Sequence, residues 1–457
     1  MNNYSLFPNN LEEFADKTVK INRDALKTLN YLGNKSRMMD SILEVILQET
    51  SKEDVICDLF AGSGSVTQAL SSSRAVIAVD IQAYSAELIK SICNINQKLE
   101  LKAEEIIEAV DSEFSRLYDL FSDLIEYEKF LLSSPENSLE LANFIESSSL
   151  IKFSLGYVSP LDSKLNGIIK ETVNKIKTYN LDLSTLTTTW NFGGVYFSFE
   201  HTLFIDSLLN TIQNKKIKNF KGIALSLASK LVNTIGKQFA QPLNPWDKNG
   251  LPKKNIFKKA NSDRNLDART ELIKIMEDYL YLPVSKYPVD SWTMDFKDAL
   301  ENLPSKVSFI YADPPYTRDH YSRFYHVLET LVLQDSPKIS YTKKNGNIEI
   351  SKGLYRENRH QSPFCIRSTA PKSFDDLFRI ASSKNCKILL SYSPFEEDEH
   401  PRVMKLNDIL ELANKYFSMV TVSYINSMKH NKLNHTSKSL KRELPSEMLI
   451  LCKDPII

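Results

Sequence analysis

The stretch Tyr311-Ala312-Asp313-Pro314-Pro315-Tyr316 sets an acid, two prolines and an aromatic ring directly after an apolar run, Val307 to Tyr311. The run reads as a buried strand. Neither proline donates a backbone N–H and each fixes its φ, so the ladder stops there. Pro315 also pushes Pro314 out of helical geometry. The product is a stiff turn at the C-terminal end of a strand, where open α/β sheets place their ligands. The chemistry such a turn can do is recognition of a planar base that carries an exocyclic amine. Asp313 and the carbonyl of Pro314 can each accept a hydrogen bond from the amino group, which turns its lone pair toward an electrophile. Tyr316 can stack on the base, including one drawn out of a duplex. A proline-rich turn without a ligand accounts for the prolines but not for the acid and the ring.

A second constellation lies far upstream. Asp58-Leu59-Phe60-Ala61-Gly62-Ser63-Gly64 has glycines that let the backbone pass close to a ligand and point N–H groups at it. It lacks the Gly-Lys-Ser/Thr of a phosphate-binding loop and does not complete GxGxxG. With Asp80 at the end of the next apolar run, it suits a ligand with a ribose and a cationic or amino-acid end, Asp80 accepting from the two ribose hydroxyls. A tight strand–helix turn without a ligand would have the same sequence. Lys35, in Asn30-Tyr31-Leu32-Gly33-Asn34-Lys35 before an expected helix from Met38 to Leu47, can pair with a ligand carboxylate or simply face solvent at a helix entry.

The elements that must position these groups are legible as a pattern. A strand over 54–60, the glycine loop, a helix from Val66 and a strand over 75–79 ending at Asp80 form the first half of a doubly wound sheet. Further strands are expected over 289–295, 307–311, 386–393, 419–424 and 446–452. Between them stands an insertion of roughly 190 residues, too long for a plain loop. Its first part, 97–148, has helical periodicity and thirteen acids against four bases, so it reads as packing or a solvated face. From 210 to 260 the charge reverses to eleven lysines and one acid, with Asn233, Gln238, Phe239, Gln241, Trp246 and Phe257 among them. A lysine-rich solvated face and a nucleic-acid surface both fit that charge. Beside the strand-end chemistry the second is favoured, with Lys237, Gln238, Lys253 and Lys254 meeting phosphates or base edges.

Composition bounds the rest. The chain has 457 residues, 42% hydrophobic and 25% charged, with zero net charge, so no overall polycation announces a nucleic-acid partner. Five cysteines without CxxC spacing point to reduced thiols rather than zinc. The N-terminal residues do not read as a secretory signal, and no run of about 18 uncharged apolar residues would span a membrane. A cytoplasmic protein without a metal is expected. No cysteine follows a proline in the way that thiolate addition to a cytosine ring would need.

The order of these elements resembles the Dam-type class of N6-adenine-specific DNA methyltransferases. YLGNK at 31–35, DLFAGSGS at 58–65, Asp80, Asp295 in SWTMDF, DPPY at 313–316 and LLSYS at 389–393 carry the resemblance, over about a tenth of the chain. It implies a Rossmann-like α/β sheet interrupted by a large, mostly helical DNA-recognition domain, with boundaries at 1–96, 97–284 and 285–457. It implies S-adenosylmethionine as methyl donor, held by Tyr31, Lys35, Asp58, Phe60, Ala61, Gly62, Ser63, Gly64, Asp80, Ile81, Asp295 and Asp313. Adenine N6 would be the acceptor, with Asp313, Pro314, Pro315 and Tyr316 catalytic. Duplex DNA is the expected partner, with Arg318, Tyr321 and Arg323 around the flipped nucleotide and Lys432, in a basic run at 429–443, near phosphates. A cognate restriction endonuclease and a place beside the bacterial nucleoid would follow. The insertion is larger than the compact recognition domain of that class, and its block at 190–209 is unfamiliar. Two alternatives stay open: methylation of cytosine N4 or of RNA adenine, and a non-catalytic DNA-recognition subunit of a nuclease complex.

Overall fold

The computed structural model describes residues 35, 38–94, 103–317, 320–344, 346–393, 403–425 and 447–456. Its centre is a seven-stranded sheet in the order β3-β2-β1-β4-β7-β9-β8. The strands are β1 (Val55–Leu59), β2 (Ala75–Asp80), β3 (Val289–Thr293), β4 (Val307–Ala312), β7 (Lys387–Tyr392), β8 (Phe417–Ile425) and β9 (Glu447–Pro455). A separate antiparallel hairpin joins β5 (Tyr341–Lys344) to β6 (Asn347–Ile350). β1 pairs in parallel with β2 and with β4, β2 with β3, and β4 with β7. β9 runs antiparallel between β7 and β8. Every strand expected from the sequence is present to within a few residues.

The alternation of side chains along each strand builds two cores. Val55, Cys57 and Leu59 of β1 face the core that includes Phe296, Leu300, Phe374, Leu377 and Ile409. Ile56 faces the opposite way, onto α1 (Met39–Glu49) and α2 (Ser65–Leu70), with Ile42, Ile46 and Leu70. The connections from β1 lead to β2 on one side, while β4 lies on the other. Strand order therefore reverses between β1 and β4, which opens a crevice at their C-terminal ends.

After β2 comes α3 (Ala83–Asn94), and from α4 (Ala103–Leu132) to the helix ending at Leu280 the described chain is mostly helical, with a long irregular stretch over 232–255. The block at 190–209 is the centre of this region. Most of the helix Phe199–Asn214 is buried, which a helix flanked on all sides requires. Asp206 within it accepts from the backbone N–H groups of Thr188 and Thr189 and from the Thr189 hydroxyl, satisfying an otherwise orphaned helix start. Arg264 and Glu128 form a buried ion pair at 2.6 Å, and Arg264 also donates to Asn233 Oδ1 and to the carbonyl of Gly194. The helices do not stand apart from the sheet. Leu208, Ile223 and Leu227 share one core with Leu88, Ile89 and Ile92 of α3 and with Val327 and Leu331 after the DPPY turn.

Candidate active site

Parallel pairing brings the C-termini of β1, β2, β3 and β4 to one edge, and the sequence ends each of them with an acid nearby. Asp58, Asp80, Asp295 and Asp313 all line one pocket there. Phe60, Ala61, Gly62, Ser63, Ile81, Lys35, Pro314, Pro315, Tyr316 and Tyr321 line it too. Fourteen of the expected site residues thus converge, although they are spread from 35 to 321 in sequence.

The glycine loop reaches its shape through three left-handed residues, Phe60 (φ 70°), Gly62 (φ 55°) and Gly64 (φ 75°). Phe60 is held there against its own preference, a conformation that concentrates at functional sites. Gly64 itself is not in the pocket wall. A Cβ there would meet Ile89 Cγ1 of α3 at 2.5 Å, so this glycine is required by close packing of the loop on α3. The loop amides are also largely engaged within the protein. Ala61 N–H donates to Val79 O, Gly62 N–H to Asp80 Oδ2 at 3.0 Å and Gly64 N–H to Ala61 O. The expectation of a crown of amides turned toward a ligand is therefore corrected at these three positions: the tight turn consumes them.

Asp80 accepts one backbone N–H on each oxygen, from Gly62 and from Gln82 at 2.9 Å, and each oxygen keeps further acceptor capacity toward the pocket. Asp58 is buried under the loop and accepts from Thr67 Oγ1 at 2.5 Å. Burial pushes its carboxyl up to about 7, and the nearby Asp313 adds to this. Burial likewise raises Asp80 to about 6. Asp295 caps the helix Phe296–Asn302 by accepting from Lys297 N–H. Three rings form a wall beside these acids: Phe60 meets Phe364 edge-on at 5.2 Å, and Phe296 packs on Phe364 at 5.0 Å.

On the other side of the pocket stands the DPPY turn. Lys35 Nζ lies 3.1 Å from Asp313 Oδ1 and 2.8 Å from Glu447 Oε2 of β9, and 5.8 Å from the centre of the Tyr316 ring. Burial opposes the lysine's charge, but Asp313, Tyr316 and Glu447 outweigh it and hold its pKa well above the usual value. Asp313 is raised to about 6, by burial first, with Lys35 opposing and Glu447 reinforcing. Tyr316 rests edge-on against Tyr392 at 5.4 Å, which orients its ring. Tyr321 stacks on Tyr325.

Several functional candidates escape sequence reasoning. Phe296 sits next to Asp295 and carries that much of a signal; Phe364 and Glu447 carry no local signal. The cofactor candidate Tyr31 lies outside the described residues, as do the nucleic-acid candidates Arg318 and Lys432. Lys237 pairs with Asp263 at 3.0 Å and donates to Val232 O, and Lys253 donates to Asn244 O, while Gln238 is partly exposed and Lys254 exposed. Arg323 is exposed and donates to Tyr355 Oη. Four neighbours in the lysine-rich segment are accounted for by packing, and for Asn233 this corrects the expectation that the amides of the segment read base edges. Asn233 and Phe239 are buried, Trp246 Nε1 donates to Glu146, and Phe257 packs against the helical core. Burial among apolar neighbours, which net charge cannot report, is the reason.

His326 is buried and pushed down to about 3 by burial. It sits in a hub with Tyr196 and Tyr355. Tyr196 Oη lies 3.0 Å from Gly353 O and 3.2 Å from Phe239 O, and the His326 ring meets Tyr355 edge-on at 5.0 Å. The helical insertion and the segment after the DPPY turn are locked together there.

Residues 31–155 match the D12 class of N6 adenine-specific DNA methyltransferases. This bears out the resemblance to the N6-adenine DNA methyltransferases, and the mostly parallel sheet is consistent with a methyltransferase fold. The chain is 22% identical over 417 residues to the modification methylase LlaI of Lactococcus lactis subsp. lactis, covering 91% of this chain and 53% of that protein. It is 23% identical over 440 residues to the type II methyltransferase M.FokI of Planomicrobium okeanokoites, covering 93% and 53%. The chain thus spans about half the length of these curated relatives. Among the described residues no helix is long and apolar enough to cross a membrane, and no cluster of His, Cys, Asp and Glu has the makings of a metal site.

Proposed function

We propose that this protein transfers the methyl group of S-adenosylmethionine to N6 of an adenine taken out of duplex DNA. The observation that carries the reading is the convergence of two sequence-distant constellations on one pocket. A carboxylate-rich, ring-walled half formed by Asp58, Asp80, Asp295, Phe60, Phe296 and Phe364 faces the Asp313–Tyr316 turn. The donor set fits the cofactor's parts. Asp80 has spare acceptors for ribose hydroxyls, the phenylalanine wall offers apolar faces for an adenine ring, and the carboxylates suit a sulfonium cation. When bound there, the cofactor supplies an electrophilic methyl group.

The chain's own residues do the rest. Asp313, as the carboxylate, and the Pro314 carbonyl accept the hydrogens of the amino group and fix its orientation. Tyr316 stacks on the base. Lys35 keeps Asp313 ionised in a pocket whose burial favours the neutral acid. The proline turn holds these groups rigidly, so little ordering remains at the moment of reaction.

The helical region over 97–284 serves as the target-recognition region and flanks the catalytic parts 1–96 and 285–457. The curated relatives are called modification and type II enzymes, and the same setting is proposed here: a bacterial cytoplasmic protein working on DNA beside a cognate endonuclease. Methyl transfer from labelled S-adenosylmethionine to unmethylated duplex DNA tests the activity, with Asp313→Ala as control. The expected product is N6-methyladenine with wild type alone. N4-methylcytosine, or labelling of RNA instead of DNA, would overturn the substrate; no labelling and no cofactor binding would overturn the enzyme.

A further inference from the structure

Among the described residues, two arginines lack the carboxylate partner that most of the others have. Among the described residues Arg116, Arg264, Arg269, Arg356 and Arg379 are each held by a carboxylate. Arg323 and Arg359 instead share one aromatic ring, their guanidinium carbons 5.5 and 4.8 Å from the centre of Tyr355. Arg323 Nε donates to Tyr355 Oη, and that hydroxyl donates to Ala240 O within the lysine-rich segment. Arg359 Nε is buried without a hydrogen bond. The neighbours of both arginines, Ser322 and His360, line the pocket, and Ser322 Oγ donates to His360 O. Each arginine therefore adjoins in sequence a residue of the pocket wall, on segments tied together.

Two cations on one ring repel each other, and cation–π contact at an exposed site returns little against that. A buried N–H with no acceptor adds cost. An anion between or beside the guanidinium groups would remove both penalties. Planar donor forks match phosphate oxygens.

We propose that Arg323 and Arg359, sharing the ring of Tyr355, form a phosphate clamp at the pocket rim that grips the nucleic-acid backbone beside the base taken into the pocket. The clamp rests on the base-modifying reading of the pocket and adds to it a residue, Arg359, and a mechanism of extrusion. Gripping the backbone at the rim holds the rotated nucleotide open while Tyr316 receives its base. Through Ala240 the clamp is also attached to the insertion.

The test is the salt dependence of binding of the full chain to a labelled duplex, comparing wild type, Arg323→Gln, Arg359→Gln and the double variant. Every phosphate that the protein ceases to neutralise lowers the slope of log K against log salt by about 0.9. Between 50 and 200 mM salt the double variant should therefore lose affinity by about tenfold less than wild type does. Arg323 is exposed, so its substitution leaves the fold intact whatever Arg359→Gln does. An unchanged slope in Arg323→Gln and in the double variant overturns the clamp. The same titration with inorganic pyrophosphate as competitor separates a backbone clamp from a free-phosphate site. Pyrophosphate that binds wild type at micromolar concentration, binds the variants more weakly and yet displaces no duplex would overturn the backbone assignment. Methyl transfer by wild type is read separately, so a failed clamp and a failed enzyme assignment give different results.

Discussion

Lys35 and Asp313 form an ion pair at 3.1 Å, although 278 positions separate them in the chain and the lysine also meets Glu447 at 2.8 Å. The pair joins the start of the described chain to the DPPY turn at the heart of the pocket. Its consequence is electrostatic. The ionised carboxylate is the stronger acceptor for an amino group, and burial favours the neutral acid while Lys35 favours the charged one.

The first prediction follows from that balance. With Asp313 raised to about 6, methyl transfer should rise with pH through about 6 and then level off, because the deprotonated form is the active one. In Lys35→Met the one opposing cation is gone and two carboxylates face each other, so the acidic limb should move to higher pH. Lys35→Arg should keep it near the wild-type position. A limb that stays put in Lys35→Met, measured as kcat against pH, would show that Lys35 does not control Asp313.

Asp80 is predicted to act on the methyl donor and not on DNA. Its two oxygens hold the Gly62 and Gln82 amides, and only its spare acceptors face the pocket. Asp80→Asn keeps a single acceptor oxygen and loses the charge. Loss of a charged hydrogen bond, about 1.5–3 kcal/mol, corresponds to roughly 10–100-fold weaker binding. Calorimetry with S-adenosylhomocysteine measures this, and duplex affinity in the same variant should be unchanged.

Phe364 offers a separate handle on the ring wall. It is buried and packs on Phe60, Phe296 and Phe374. Phe364→Leu keeps most of the volume and removes the ring, so stability should fall by only about 1 kcal/mol. Donor binding should weaken beyond what that loss explains. Equal donor affinity in a folded Phe364→Leu would remove the wall from the site.

Tyr196 tests whether the insertion and the pocket are one unit. Its hydroxyl lies beside the carbonyls of Gly353 and Phe239 in a buried hub with His326. Tyr196→Phe removes the one O–H that can donate there and leaves a buried acceptor short of a donor, at about 1–2 kcal/mol. Thermal unfolding should shift down as a single transition. A lower first transition followed by an unshifted second would mean that the helical region unfolds independently.

Much of the sheet was legible because local rules sufficed. The strand, glycine loop, helix, strand and acid over 54–80 follow from apolar runs broken by turn residues, and β4 with its proline stop follows from the same rules. The hairpin β5–β6 does not stand out from the apolar pattern although Asn345-Gly346 is a hairpin signal, because each strand has only four residues and β5 is largely polar. In the lysine-rich segment, composition points outward while Asn233, Phe239 and Trp246 turn inward.

Sequence by itself determined the chemistry available: a carboxylate and ring on a rigid proline turn, a glycine loop, and acids at strand ends, since each depends on neighbours within a few residues. Tertiary structure decided which of these meet. Parallel pairing of β1 with β2 and β4 set Asp58, Asp80 and Asp313 along one edge, and the antiparallel return of β9 brought Glu447 to Lys35. It also decided that Gly64 serves packing on α3 and that Arg323 and Arg359 share one ring. Such contacts join residues tens to hundreds of positions apart. Their energies depend on burial and distance, and neither is written in the local order of residues.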